Sequence, residues 1–181
     1  MIPSLYPIFF HWASTGSVYI ISDTHFNDPD CFLMDKDWLS PLQHMEKIKA
    51  KVKKNDTLIH LGDVGEPAYL DDLKCYKVLI TGNHDVPAKM ALHFCEVYTG
   101  PVFISNRILL SHEPVFGLES YCLNIHGHIH DKNAVPYKNH INLASNIYNF
   151  ELFNLGKEIK NGILKDISSY HRVTIDKASK K

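Results

Sequence analysis

Arginine is nearly missing from this chain of 181 residues: only Arg107 and Arg172 occur, so bidentate phosphate clamps are scarce. No large excess of positive charge compensates, because 19 Lys+Arg face 20 Asp+Glu and the net charge is −1. That balance excludes a protein that binds nucleic acid or anionic lipid by bulk electrostatic attraction. Closely spaced cysteines are absent too. Cys31, Cys75, Cys95 and Cys122 lie far apart with no CxxC pair, which excludes a zinc ribbon. They read as reduced thiols of a cytoplasmic protein rather than a disulfide framework. No apolar run is long enough to span a bilayer. The opening MIPSLYPIFFHWAS is apolar but lacks a basic leader and holds Pro3 and Pro7. Residues 1–17 therefore read as an arm that packs on the domain or meets a partner, for instance a second copy in a dimer. Repeats, low-complexity tracts and linkers are likewise missing, so 1–181 is expected to be one domain with a frayed tail at 177–181.

What is present alternates. Val18 to Ser22 (VYIIS) is a β-branched run, a strand that ends at Asp23-Thr24-His25. Ser40-Pro41-Leu42-Gln43 supplies an N-cap, a proline at the first helical position and a capping-box glutamine. Leu42, Met45, Ile48 and Val52 then recur at helical spacing, and Asn55 stops the helix. The lysines between 47 and 54 sit mostly off that stripe and read as a solvated face. A strand at Thr57 to Leu61 ends at Gly62-Asp63. A short helix near Ala68 to Leu73 leads to a strand at Lys77 to Ile80, and a second covers Ala88 to Phe94. Val102 to Ile104 and Ile108 to Leu110 form a hairpin. Strands follow at Tyr121 to Ile125, His140 to Ala144 and roughly Tyr148 to Leu155, before a helix near Lys157 to Ile167. Strand–helix units in the first half and strands in the second predict an α/β fold of two packed sheets with helices outside.

Five polar clusters stand directly after expected strands: Asp23-x-His25, Gly62-Asp63, Gly82-Asn83-His84-Asp85, Ser111-His112 and His126-Gly127-His128-Ile129-His130. Ligand sites of open α/β sheets gather at the carboxyl ends of strands, so these clusters are expected at one rim. Carboxylate, imidazole and amide oxygen without thiolate suit borderline divalent metals, namely Mn, Fe, Zn or Ni. Two such ions sharing a carboxylate and a water acidify that water and clamp the oxygens of an in-line displacement at phosphorus.

With the flanking words IISDTH, LIHLGD, TGNHD, LSHEP and HGHIH, the chain resembles the calcineurin-like metallophosphoesterase family over Val18 to Ala144. It looks like the small, uncapped bacterial and phage members. The resemblance implies an αββα sandwich of two mixed sheets flanked by helices. It implies one metal held by Asp23, His25 and His130 with Asp63 bridging, and another held by Asp63, Asn83, His112 and His128. It also makes His84 the residue facing the leaving group, with Asp85 orienting it. The expected reaction is attack of a metal-bridging hydroxide on a phosphomonoester or small phosphodiester, with Mn the first choice of ion. The expected partner is a small phosphorylated substrate, with nucleotide-like ones among the candidates.

Two other readings stay open. A nuclease would use the same ions but lacks the basic surface. A binding scaffold would not need an intact His84. Of the other polar residues, His126 is expected beside the ligands or in the core, His60 in the core, and Asn124 as a satisfied polar residue. Phe26, Phe32, Trp38, Phe116 and Tyr121 could stack a flat leaving group, though packing is the commoner fate of each.

Overall fold

The structure, a computed structural model, describes residues 2–118 and 120–167. In chain order the elements are α1 (Tyr6–Trp12), β1 (Val18–Ile21), α2 (Cys31–Met34), α3 (Pro41–Lys51) and β2 (Thr57–His60). A 3-10 turn at Pro67–Leu70 precedes β3 (Tyr76–Ile80), α4 (Pro87–Met90), β4 (Glu96–Tyr98), β5 (Val102–Ser105) and β6 (Ile108–Leu110). The rest are β7 (Leu123–His126), β8 (His140–Asn142), β9 (Phe153–Asn154) and α5 (Leu155–Lys160). The fold is mixed α/β, with two mixed sheets and few helices.

One sheet has the order β4-β3-β2-β1-β9, with β1 to β4 parallel and β9 antiparallel at the edge. The other has the order β5-β6-β7-β8, with the β5–β6 hairpin antiparallel and the remaining pairs parallel. Their apolar faces contribute to one buried cluster: Ile20, Ile59, Val78 and Ile80 from the first, Ile104, Ile108, Leu110, Leu123 and Ile125 from the second. A second cluster lies on the other face of the five-stranded sheet. There Ile21, Leu58 and Leu79 meet Met45, Ile48 and Val52 from the α3 region.

The sequence signals of α3 act as read. Ser40 accepts from the Gln43 amide, Gln43 reaches back to the Ser40 amide, and Pro41 opens the helix. Leu42 departs from its stripe. It is 70% exposed, because a residue this early in the helix points past the sheet edge rather than onto it. The arm forms α1, and Trp12 seals it: the indole is buried and donates to Glu96 Oε1 at 3.0 Å.

The connections of the second sheet differ from those of the first. Among the described residues, segments 111–122 and 127–139, which join β6 to β7 and β7 to β8, contain no helix. Alternation explains why. Leu123 and Ile125 face the shared core, so Asn124 and His126 face outward beside His140 and Asn142. That polar face offers a helix little apolar surface to cover. Asn124 satisfies itself locally, donating to Ser111 Oγ at 2.9 Å and accepting from the Val115 amide at 2.8 Å.

The last helix is shorter than expected, because Asn161 caps it and Gly162 turns the chain at φ 94°. Ile167 still reaches the main cluster; the tail at 177–181 lies outside the described residues. The expected strand near Tyr148 to Leu155 shrinks to the two residues of β9. Among the described residues no helix is long and apolar enough to cross a membrane, and no disulfide forms among the four cysteines.

Candidate metal centre

Strands of both sheets end at one rim. The loop after β1 carries Asp23 and His25, that after β2 Asp63, and that after β3 Asn83, His84 and Asp85. From the other sheet, the loop after β6 carries His112 and that after β7 carries His128 and His130. The backbone is bent hard to present them. Asp23, His25, Asp63 and His128 all have positive φ, at 53°, 42°, 54° and 68°. Non-glycine residues in that region cost on the order of 1–3 kcal/mol each and collect where function over-determines the geometry. His128 also leaves the strand alternation here, which separates it from His126. Two glycines let the loops close. A Cβ on Gly127 would lie 2.0 Å from Asp23 Oδ2, and one on Gly82 would lie 2.1 Å from Asp63 Oδ1.

Two groups of donors result. Asp23, His25 and His130 bring ligand atoms within 4.8 Å of one another, and so do Asp63, His112 and His128. Asp63 joins them: its Oδ2 is 3.8 Å from His25 Nε2 and 3.3 Å from His112 Nε2. Asn83 belongs with the second group, its Oδ1 2.9 Å from His112 Nε2.

Three of the four histidines are held by their other nitrogen. His25 Nδ1 lies 3.1 Å from Asp28 Oδ2, and His130 Nδ1 lies 2.9 Å from Asn146 Oδ1. His112 Nδ1 donates to the Leu61 carbonyl at 2.9 Å. With protons on the Nδ1 atoms, the Nε2 lone pairs turn toward carboxylate and amide oxygens, so acceptor faces acceptor. His112 Nε2 meets Asp63, Asn83 and, at 3.1 Å, His128 Nδ1. His25 Nε2 is buried with no hydrogen-bond partner. Converging lone pairs of this kind call for a cation. The donor set of carboxylate, imidazole and amide oxygen fits divalent metals.

The protonation tendencies follow the same crowding. Burial alone would raise the Asp63 carboxyl, but the hydrogen bond and charge of His112 outweigh it and lower it to about 2. Burial likewise works against the ionised form of Asp23, and His130 and His112 pull its carboxyl below the usual range. Burial would lower His112 and His130, yet Asp63 raises the first and Asp23 the second.

Placed against expectation, Asp23, His25, Asp63, Asn83, His112, His128 and His130 meet at one rim. His84 is exposed at the mouth, its ring 5.9 Å from that of His25, and its amide donates to Asp63 Oδ1 at 3.0 Å. Asp85 takes a different part from the one expected. Its carboxylate accepts from the amides of Asp63 and Gly82 at 2.9 Å and of Val64 at 3.1 Å. It ties the β2 and β3 loops together and does not bond the His84 ring. The side chain is short and follows the loop, so it meets backbone amides first.

His126 is buried, donates toward the Gly127 carbonyl at 2.8 Å, and is pushed down to about 4 by burial. His60 lies in the core against Thr24 Oγ1 at 2.9 Å, and burial takes it to about 3. Asp28 and Asn146 were not legible as site residues. Asp28 follows His25 by three positions, the only available hint, and Asn146 has no motif around it. Phe26 and Trp38 pack inside, whereas Phe32 and Phe116 are exposed.

No curated protein matches the chain. A solved structure of a protein of unknown function from Aquifex aeolicus is similar, with 25% identity and a TM-score of 0.66, over 80% of this chain and 98% of that one. Residues 17–146 match the model of the calcineurin-like phosphoesterase superfamily domain, a span that contains every metal-ligand candidate. The chain belongs to the calcineurin-like phosphoesterase superfamily.

Proposed function

We propose that the protein is a dinuclear-metal hydrolase of a phosphomonoester or small phosphodiester, built on an αββα-type arrangement whose outer layer is incomplete on one side. The observation that carries it is Asp63, whose Oδ2 lies between His25 Nε2 and His112 Nε2 and so serves both donor groups. Asp23, His25, His130 and Asp63 would hold one divalent cation, and Asp63, Asn83, His112 and His128 the other. Mn is the first choice, with Fe, Zn or Ni also matched to these donors. Such ions, when bound, polarise phosphoryl oxygens and acidify water near neutral pH.

The chain's own groups supply the rest. Asp85 fixes the amides of the Asp63 and Gly82 loops, which sets the separation of the two donor groups. Asp28, Asn146 and the Leu61 carbonyl keep a proton on each Nδ1 and the Nε2 lone pairs turned inward. His84 stands at the open mouth beside His25, where its ring can give a proton to a departing oxygen. The cytoplasm is the proposed location, in keeping with cysteines that form no disulfide.

The test is metal analysis together with hydrolysis of bis-p-nitrophenyl phosphate and p-nitrophenyl phosphate, with Mn supplied. Two metals per chain and turnover of either ester are expected. Two bound metals with turnover of neither would turn the reading toward a binding scaffold.

A further inference from the structure

Beside the metal centre lies a cavity of about 330 Å³, and His25 lines it. Its walls come from the segment after β1 and the start of α3. Phe32, Trp38, Leu39 and Pro41 give apolar surface, and Asp28 the carboxylate. Trp38 is fixed. Its ring packs 5.8 Å from His25, 5.7 Å from His130 and 5.5 Å from Phe150, and only 6% of it is exposed. Phe32 is different: it stands at the rim with 59% exposure and, among the described residues, packs on no other aromatic ring. Its free ring face lines the cavity and can stack a flat ligand.

Charge narrows the occupant. Among the described residues no lysine or arginine lines the cavity, while Asp28 lines it and Asp30 follows on the same loop. A second phosphate or a carboxylate placed there would be repelled by these carboxylates, with no basic side chain of the lining to offset it. The volume is at the lower end of small-ligand pockets and admits one ring system with its sugar or linker.

We propose that this cavity is the subsite for an uncharged, nucleobase-sized aromatic group of the phosphoester, stacked on Phe32 while the phosphoryl group lies at the metal rim. The inference rests on the phosphoesterase reading above and adds the substrate class to it. It follows that a substrate extends through this side as a neutral ring and not as a chain of further phosphates.

Binding to the Mn-loaded protein tests it, by titration calorimetry with UMP, orotidine monophosphate and ribose 5-phosphate. UMP is expected to bind about tenfold more tightly than ribose 5-phosphate, the usual scale of one base–aromatic stack. Orotidine monophosphate, which adds a carboxylate to the same base, is expected to lose that advantage. Phe32→Ala should remove the preference for UMP and leave ribose 5-phosphate affinity and metal content unchanged; Phe32→Tyr should keep it. Equal affinities for UMP and ribose 5-phosphate in the unaltered protein would overturn the proposal, as would a Phe32→Ala variant that keeps the preference. Either result, alongside turnover of the nitrophenyl esters, removes the subsite alone. Absence of turnover with both metals bound removes the phosphoesterase reading.

Discussion

The two halves of the metal centre are built alike in their ligands and differently in what stands behind them. Asp23, His25 and His130 are mostly buried, and side chains back two of them: Asp28 behind His25 and Asn146 behind His130. Around the second position Asn83 is exposed and His128 half-buried, and the backing of His112 is a main-chain carbonyl of Leu61. Burial and a carboxylate behind an imidazole both strengthen a ligand. The first position should therefore hold its ion more tightly, and the second should exchange more readily and meet the substrate first. One carboxylate, Asp63, keeps the halves from being independent.

Asp63→Ala puts that last statement at greatest risk. It should empty both positions and take hydrolysis of bis-p-nitrophenyl phosphate down to the uncatalysed background, with metal content read by mass spectrometry. Retention of one full equivalent would mean that the halves do not share this ligand. Asn83→Ala, by contrast, should release one ion only.

His84→Ala comes next, with kcat lowered by roughly 10²–10⁴-fold, the range for loss of a general acid. Both metals should remain. Loss of an ion from this variant would make His84 a ligand of one half and upset the division drawn above.

A smaller effect separates the halves directly. Asp28→Ala and Asn146→Ala should each weaken one of the two metal-binding steps by about 10–100-fold, as removal of a partner behind a ligating histidine does. The other step should not move. If both steps weaken together, the backing is a property of the whole rim and the contrast fails. No substitution of Leu61 has an equivalent effect, since its carbonyl survives any side chain placed there.

These partners mark where sequence reading stops. The ligands were legible because each sits in a short word after a β-branched run, and a strand end fixes where such a word points. Ser40, Pro41 and Gln43 gave α3 for the same reason: the signal is local. Asn146 bonds His130 across 16 positions in a loop that has no periodicity, so only the folded chain brings them together. The resemblance put Asp85 behind His84, while in the fold its carboxylate meets the amides of Asp63, Val64 and Gly82, which come close only once two strands lie side by side. β4 escaped notice for a related reason. Glu-Val-Tyr is three residues of an edge strand, and its identity depends on pairing with β3. The helix-free connections on either side of β7 were invisible as well, because an outward face of Asn124, His126 and His140 is defined only by register.

The smallest effect tests whether the halves differ in protons as well as in backing. His130 belongs to the first and His112 to the second, and both are raised above the ordinary imidazole value by a neighbouring carboxylate, Asp23 or Asp63. In the metal-free protein each therefore holds its proton more tightly than a free imidazole does. A cation must displace that proton, because the same Nε2 lone pair serves either. Metal binding is then strongest above the raised values and is lost as pH falls through them, by about tenfold in affinity per pH unit for each proton displaced. The sign is opposite for metal-free stability. There the same two groups favour the fold at low pH and lose that contribution as pH rises through their folded values. Each half gives up one such proton, so the two binding steps should slope equally with pH in Mn titrations between about pH 8 and pH 6. Unequal slopes would show that proton count, and not Asp28 and Asn146, sets the two positions apart.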